Sequence, residues 1–112
     1  MNESSQLKKG VLEILVLHLL SGADLYGYQL ISELDARSRS FFRMKEGTLY
    51  PVLYRLEDGG FISSYWEKES EKRGVPRKYY RITPEGKERE RELKEDLELF
   101  VQSIKLVLEG EP

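Results

Sequence analysis

Apolar side chains recur at Leu7, Val11, Ile14, Leu15 and Leu19, a spacing of three and four that predicts a helix over residues 7–21. Leu12, Val16, Leu17 and Leu20 widen that stripe until it nearly encircles the element, so more than one side is expected to be buried. Gly22 is the expected stop, since glycine accepts a positive φ at little cost. A second period, through Tyr26 or Gly27 and then Leu30, Ile31 and Leu34, predicts a helix over 25–36 capped by Asp24. A third helix is expected over 47–58. Leu49, Val52, Leu53 and Leu56 form its inner face, Pro51 sits in its first turn, and Gly59-Gly60 ends it.

The pattern then changes from helical spacing to alternation. Residues 61–67 alternate and are rich in aromatics, which reads as a strand. A polar loop over 68–76 leads to a return strand over 77–82. Thr83-Pro84-Glu85-Gly86 is a helix start, with Thr83 as cap, proline at the first position and an acid in the first turn. The helix it opens should run to about residue 108. The order is helix, helix, helix, strand, strand, long helix. It predicts a mainly α (α+β) chain: a winged helix-turn-helix with one added C-terminal helix.

The third helix has a second face. Opposite its leucines stand Gly47, Pro51, Tyr54 and Asp58, with Thr48 and Arg55 on one flank and Tyr50 and Glu57 on the other. Threonine, tyrosine and arginine reach phosphates or base edges when such a helix enters a major groove. The bland alternative has the tyrosines covering core and Arg55 paired with Glu57 or Asp58. The basic loop behind the helix weighs against it. Lys72, Arg73, Arg77 and Lys78 crowd the hairpin, where long cations can follow a phosphate backbone. The hairpin aromatics Tyr65, Trp66, Tyr79 and Tyr80 are expected to anchor it by cross-strand packing.

Charge adds to this picture. The net charge is −2, but residues 1–36 sum to −3, residues 37–82 to +5 and residues 83–112 to −4. A basic middle between acidic ends fits a nucleic-acid face on a molecule that does something else elsewhere. The 112 residues contain no cysteine, which excludes disulfides, thiolate metal sites and cysteine nucleophiles. The first residues lack a basic stretch before the apolar run, and that run, Val11 to Leu20, is broken by Glu13 and His18. It is about half the ~20 residues that a membrane span needs. A cytoplasmic location is therefore expected, with no membrane association. The single histidine, His18, falls in the apolar stripe and reads as a packed residue. No phosphate loop, metal motif or nucleophile constellation is present, so neither a cofactor nor an enzymatic activity is expected. The main rival to DNA binding is a winged helix that serves only as a protein-interaction module.

The blocks Leu25-Tyr-Gly-Tyr-Gln-Leu-Ile31, Glu46-Gly-Thr-Leu-Tyr-Pro-Val-Leu-Tyr-Arg-Leu56, Gly60-Phe-Ile62 and Arg77-Lys-Tyr-Tyr-Arg-Ile-Thr83, with Glu85-Gly86, resemble the PadR-like family of bacterial transcriptional regulators. The likeness runs from about Leu7 to Leu108. It implies a homodimer on pseudo-palindromic double-stranded operator DNA, usually a repressor, and the short form of the family with a single C-terminal helix. It also implies that Lys45, Thr48, Tyr50 and Arg55 face the DNA, helped by the start of helix two, where Tyr28 stands, and by the hairpin. Residues 1–83 would then be the DNA-binding domain and residues 84–112 the dimerisation helix.

In that last helix Leu93, Leu97, Phe100, Val101, Ile104, Val107 and Leu108 form a seam that outruns a three-helix core. Two copies, each laid against the other's first helix through Leu7 and Val11, would bury it. The alternative is a helix folded back on its own domain. The resemblance also implies a small-molecule effector. Family members that take flat aromatic ligands place a tryptophan midway along the dimer helix, but here the matching positions hold Glu98 and, on helix one, Glu13, with Gln102 one turn on. Acids do not make an aromatic sandwich. A cationic ligand held by Glu13 or Glu98 is one reading, and two surface glutamates without a ligand the other.

Overall fold

The computed structural model describes residues 3–68 and 74–110, with side chains from residue 11 onward. Its elements are α1 (Glu3–Gly22), β1 (Leu25–Tyr26), α2 (Gly27–Arg37), α3 (Glu46–Asp58), β2 (Ile62–Trp66), β3 (Lys78–Ile82) and α4 (Pro84–Glu109). The three strands form one antiparallel sheet in the order β1-β3-β2. Helices dominate, and the hairpin follows α3 as the wing of a winged helix.

The core lies where three helices meet the sheet. Leu12, Val16, Leu17 and Leu20 of α1 pack with Leu30 and Leu34 of α2, Leu49, Val52, Leu53 and Leu56 of α3, and Ile62, Tyr80 and Ile82 of the hairpin. Burying each large apolar side chain is worth about 1.5–3 kcal/mol before ordering costs are subtracted. The inner face of α3 is the one its spacing predicts. The stripe on α1 is narrower than its sequence suggests: Ile14 and Leu15 are only half-buried. His18 does not pack in that stripe. Its side chain is 53% exposed, and Nδ1 lies 2.9 Å from Glu90 Oε2 on α4.

The start of α2 also departs from its prediction. Asp24 does not cap the helix. Its Oδ2 accepts hydrogen bonds from the Tyr65 hydroxyl at 2.6 Å and from Arg81 Nε at 3.1 Å. Leu25 and Tyr26 are drawn into the sheet, paired with Tyr80 and Tyr79, and the helix begins at Gly27. There the Tyr26 amide donates to Gln29 Oε1 at 3.1 Å. The carboxylate found partners far along the chain, and a short strand replaced the expected first turn.

The start of α4 follows its signal. Thr83 Oγ1 accepts from the Gly86 amide at 3.0 Å and donates to the Gly60 carbonyl at 2.7 Å. Gly86 is buried against the Phe61 carbonyl, and a Cβ there would also meet Ile82 Cγ1 at 2.7 Å. This seat ties α4 to the hairpin. The helix then runs beside α1 with Leu93 packed on the core, and every residue from Glu98 to Gly110 is exposed. The molecule is accordingly 64 Å along its longest axis.

Candidate nucleic-acid interface

The outer surface of α3 follows from its inner one. With four aliphatic side chains turned inward, Gly47, Pro51, Tyr54 and Arg55 are turned out and exposed. Tyr54 is 72% exposed. Arg55 is exposed and forms no ion pair among the described residues, so the pairing with Glu57 or Asp58 does not occur. Glu57 instead accepts from the Ser64 hydroxyl at 2.6 Å, which fastens α3 to β2. Thr48 is half-buried at the start of the helix, beside the exposed Lys45. The Lys45 carbonyl accepts from the amides of Thr48 and Leu49, both at 3.0 Å.

Tyr50 is divided between two roles. It is 41% exposed, yet its ring lies so close over Gly27 that a Cβ there would meet Cζ at 2.9 Å and collide with the hydroxyl. The first residue of α2 is glycine because the α3 tyrosine occupies the space of its side chain. Next to it Tyr28 is 70% exposed.

These residues open onto a groove of about 360 Å³ between the starts of α2 and α3 and the hairpin. Tyr28, Tyr50, Trp66, Arg77 and Lys78 line it, and Glu46 is the one acid among its described lining residues. Arg77 is half-buried, its guanidinium 4.4 Å from the centre of the Tyr26 ring, while its amide donates to Glu67 Oε2 at 2.9 Å. Lys78 is exposed, with Nζ 6.0 Å from the Trp66 ring and 5.9 Å from that of Tyr80. The start of α3, at Glu46 and Tyr50, and the basic strand thus line one groove. Arg73, the remaining cation expected at this interface, lies outside the described residues, as does its neighbour Lys72.

The hairpin aromatics divide. Tyr65 and Tyr79 stack with centroids 5.7 Å apart, Tyr79 meets Tyr26 edge-on, and Tyr80 is buried, so three of them anchor the hairpin as expected. Trp66 does not: it is 60% exposed on the groove. Arg81 closes the opposite face, lying 4.8 Å over Tyr65 and 3.0 Å from Asp24. That pairing holds the Arg81 guanidinium above its ordinary pKa, and the hydrogen bond to Asp24 raises the Tyr65 phenol. Burial raises the Tyr80 phenol.

The residues expected at a dimer seam lie on α1 and α4. Leu7 is on α1, its side chain outside those described, and Val11 is half-buried. Leu93 and Leu97 are half-buried, while Phe100, Val101, Ile104, Val107 and Leu108 are exposed. Among the residues with an effector expectation, Glu13 Oε1 is 3.5 Å from Arg89 Nη2 on α4, and Glu98 and Gln102 are exposed. Glu98 lies nine residues beyond Arg89, about 14 Å along the helix. Within one chain Glu13 and Glu98 therefore do not form one site. Tyr26, the shelf under Arg77, and Trp66 are the parts of the interface that sequence reasoning missed. For Trp66 the available signal was its even spacing from Ile62, which puts both on one face of the hairpin.

Among the described residues no helix is long and apolar enough to cross a membrane. The family profile described as the transcriptional regulator PadR-like family matches residues 16–92. The chain is 38% identical over 106 residues to an uncharacterized protein of Lysinibacillus sphaericus, covering 95% of each. It is 33% identical over 82 residues to a transcriptional regulator of Mycobacterium tuberculosis, covering 73% of this chain and 71% of that one. Its fold matches the solved structure of a transcriptional regulator from Clostridium thermocellum with a TM-score of 0.81 at 35% identity, over 90% of this chain and 93% of that one. The family is one of regulators and not of enzymes. With a winged helix whose α3 start and basic strand line one groove, the chain belongs to the PadR-like family of transcriptional regulators.

Proposed function

We propose that this protein is a sequence-specific repressor that binds pseudo-palindromic operator DNA as a homodimer. The observation that carries this reading is the groove that Tyr50 of α3 shares with Arg77 and Lys78, together with the exposed Tyr54 and Arg55 on the outer side of the same helix. In this reading α3 enters the major groove, where Thr48, Tyr54 and Arg55 meet base edges and phosphates. Tyr28, Lys45 and Tyr50 take the backbone near the two helix starts, and Arg73, Arg77 and Lys78 follow it along the wing.

The dimer is built from α4. Its exposed Phe100, Val101, Ile104, Val107 and Leu108, with Leu93, Leu97 and the α1 residues Leu7 and Val11, are buried by a second copy. The two α4 helices then set the distance between recognition helices, which must match one turn of DNA, about 34 Å. A small molecule that shifts α4 against α1 changes that distance and so the affinity for DNA. For such an effector Glu13, Glu98 and Gln102 are the candidate polar contacts, and the two carboxylates favour a cation.

The test is a mobility shift on the DNA upstream of the protein's own coding region. A specific band that survives moderate salt supports the reading. Binding that vanishes there, or that is equal on unrelated DNA, leaves the interaction-module alternative.

A further inference from the structure

The hairpin is longer than the core it covers. Its cross-strand pairs alternate between two faces. One face carries Ile62 with Ile82, then Ser64 with Tyr80, then Trp66 with Lys78. Along that single face burial falls from 1% exposure at Ile62 to 60% at Trp66. The core-facing side therefore continues past the last helix residue able to cover it. Its final pair overhangs the groove between the starts of α2 and α3. A large indole left uncovered on the inward side of a strand is not needed to hold the hairpin: the Tyr65–Tyr79 stack and the buried Tyr80 do that.

We infer that Trp66 is a DNA-contact residue, its indole closing over the sugar edge of the duplex backbone while Lys78 beside it meets the adjoining phosphate. The inference rests on the DNA-binding reading above and adds to it a contact that is apolar and independent of sequence. Charge complementarity selects this occupant. Among the described residues that line the groove around Trp66, Arg77 and Lys78 stand against the one acid Glu46, a balance that suits an anionic polymer better than an acidic peptide. Lys78 Nζ stands about equally far from the Trp66 and Tyr80 rings, at 6.0 and 5.9 Å. Two π-faces thus hold the ammonium over the groove. A deoxyribose presents an apolar edge next to each phosphate, so one indole beside one ammonium matches one nucleotide of backbone.

Trp66 is the only tryptophan in the sequence, so the wild-type protein reports on the contact without a label. The DNA from upstream of its coding region should change the tryptophan emission saturably and protect it from acrylamide quenching. Trp66→Ala should weaken binding to specific and unrelated duplexes alike by roughly fivefold to tenfold, while Trp66→Phe keeps most of the affinity. Circular dichroism and melting of both variants check folding, and the wild-type emission does not depend on either variant. Unchanged emission and quenching at saturating DNA, or a folded Trp66→Ala variant that binds like wild type, overturns the assignment and leaves the DNA-binding reading standing. A wild-type protein that shifts no duplex at low salt overturns both.

Discussion

Tyr50 of α3 fills the space in which Gly27 of α2 would carry a side chain, with Cζ 2.9 Å from the position of that missing Cβ. Two helix starts are thereby held at a fixed approach on the rim of the proposed DNA groove. Gly27→Ala should drive the ring outward. Because the obstructing atoms belong to a half-exposed side chain, the loss of stability should be modest, about 1 kcal/mol. DNA affinity should fall by more than that. A double-mutant cycle with Tyr50→Leu measures the coupling. Additive effects on both stability and DNA binding would show that the contact does not set the rim.

Gly86 is the harsher case. A Cβ there meets the Phe61 backbone carbonyl and Ile82 Cγ1, and backbone cannot swing away. Gly86→Ala should cost about 3 kcal/mol, read as a lower urea midpoint at unchanged slope. A loss below about 0.5 kcal/mol would mean that α4 is not seated where the structure has it.

Alkaline pH should expose the Asp24–Tyr65–Arg81 cluster. The Tyr65 phenol is raised above its ordinary value of 10.0, chiefly by its hydrogen bond to Asp24, and Tyr80 is raised chiefly by burial. A raised phenol means that the folded chain holds the proton more tightly than the unfolded one. Its contribution is complete below the unfolded pKa and is lost as pH rises through the folded value. Thermal melts should therefore show stability falling as pH rises above about 10. Tyr65→Phe should be less stable at neutral pH and lose stability less steeply across that range. Parallel curves for the two proteins would contradict the assignment.

The exposed seam of α4 makes a prediction about assembly. Replacing Val101 and Ile104 together by glutamate puts charge into a face that a second copy would bury. It should weaken self-association by about a hundredfold or more while leaving the helical content unchanged. A chain truncated at Lys94 should sediment as a monomer. A dimer that persists in both would place the interface elsewhere.

The parts of this molecule that were legible in its sequence are those fixed by period. Leu49, Val52, Leu53 and Leu56 named the buried side of α3, and so left Tyr54 and Arg55 on the outside. Thr83 and Gly86 named the start of α4 because both partners of that cap lie within one turn. What was not legible depended on distant partners. Asp24 looks like a helix cap until Tyr65 and Arg81 arrive from the hairpin and take its carboxylate. A two-residue strand such as Leu25–Tyr26 carries no period of its own. His18 sits in an apolar run, but Glu90, 72 positions later, turned it toward the surface. Trp66 looked like its aromatic neighbours because sequence does not reveal how far a hairpin overhangs its core.

In the proposed complex the outer face of α3 reads DNA sequence. Fluorescence anisotropy tests it most directly, with wild type and the Thr48→Ala, Arg55→Ala double variant titrated onto the protein's own upstream duplex and a scrambled duplex at equal salt. The variant should lose roughly tenfold to a hundredfold on the upstream duplex and much less on the scrambled one, so that specificity collapses. Equal affinity of wild type and variant for the upstream duplex would show that this face does not read it.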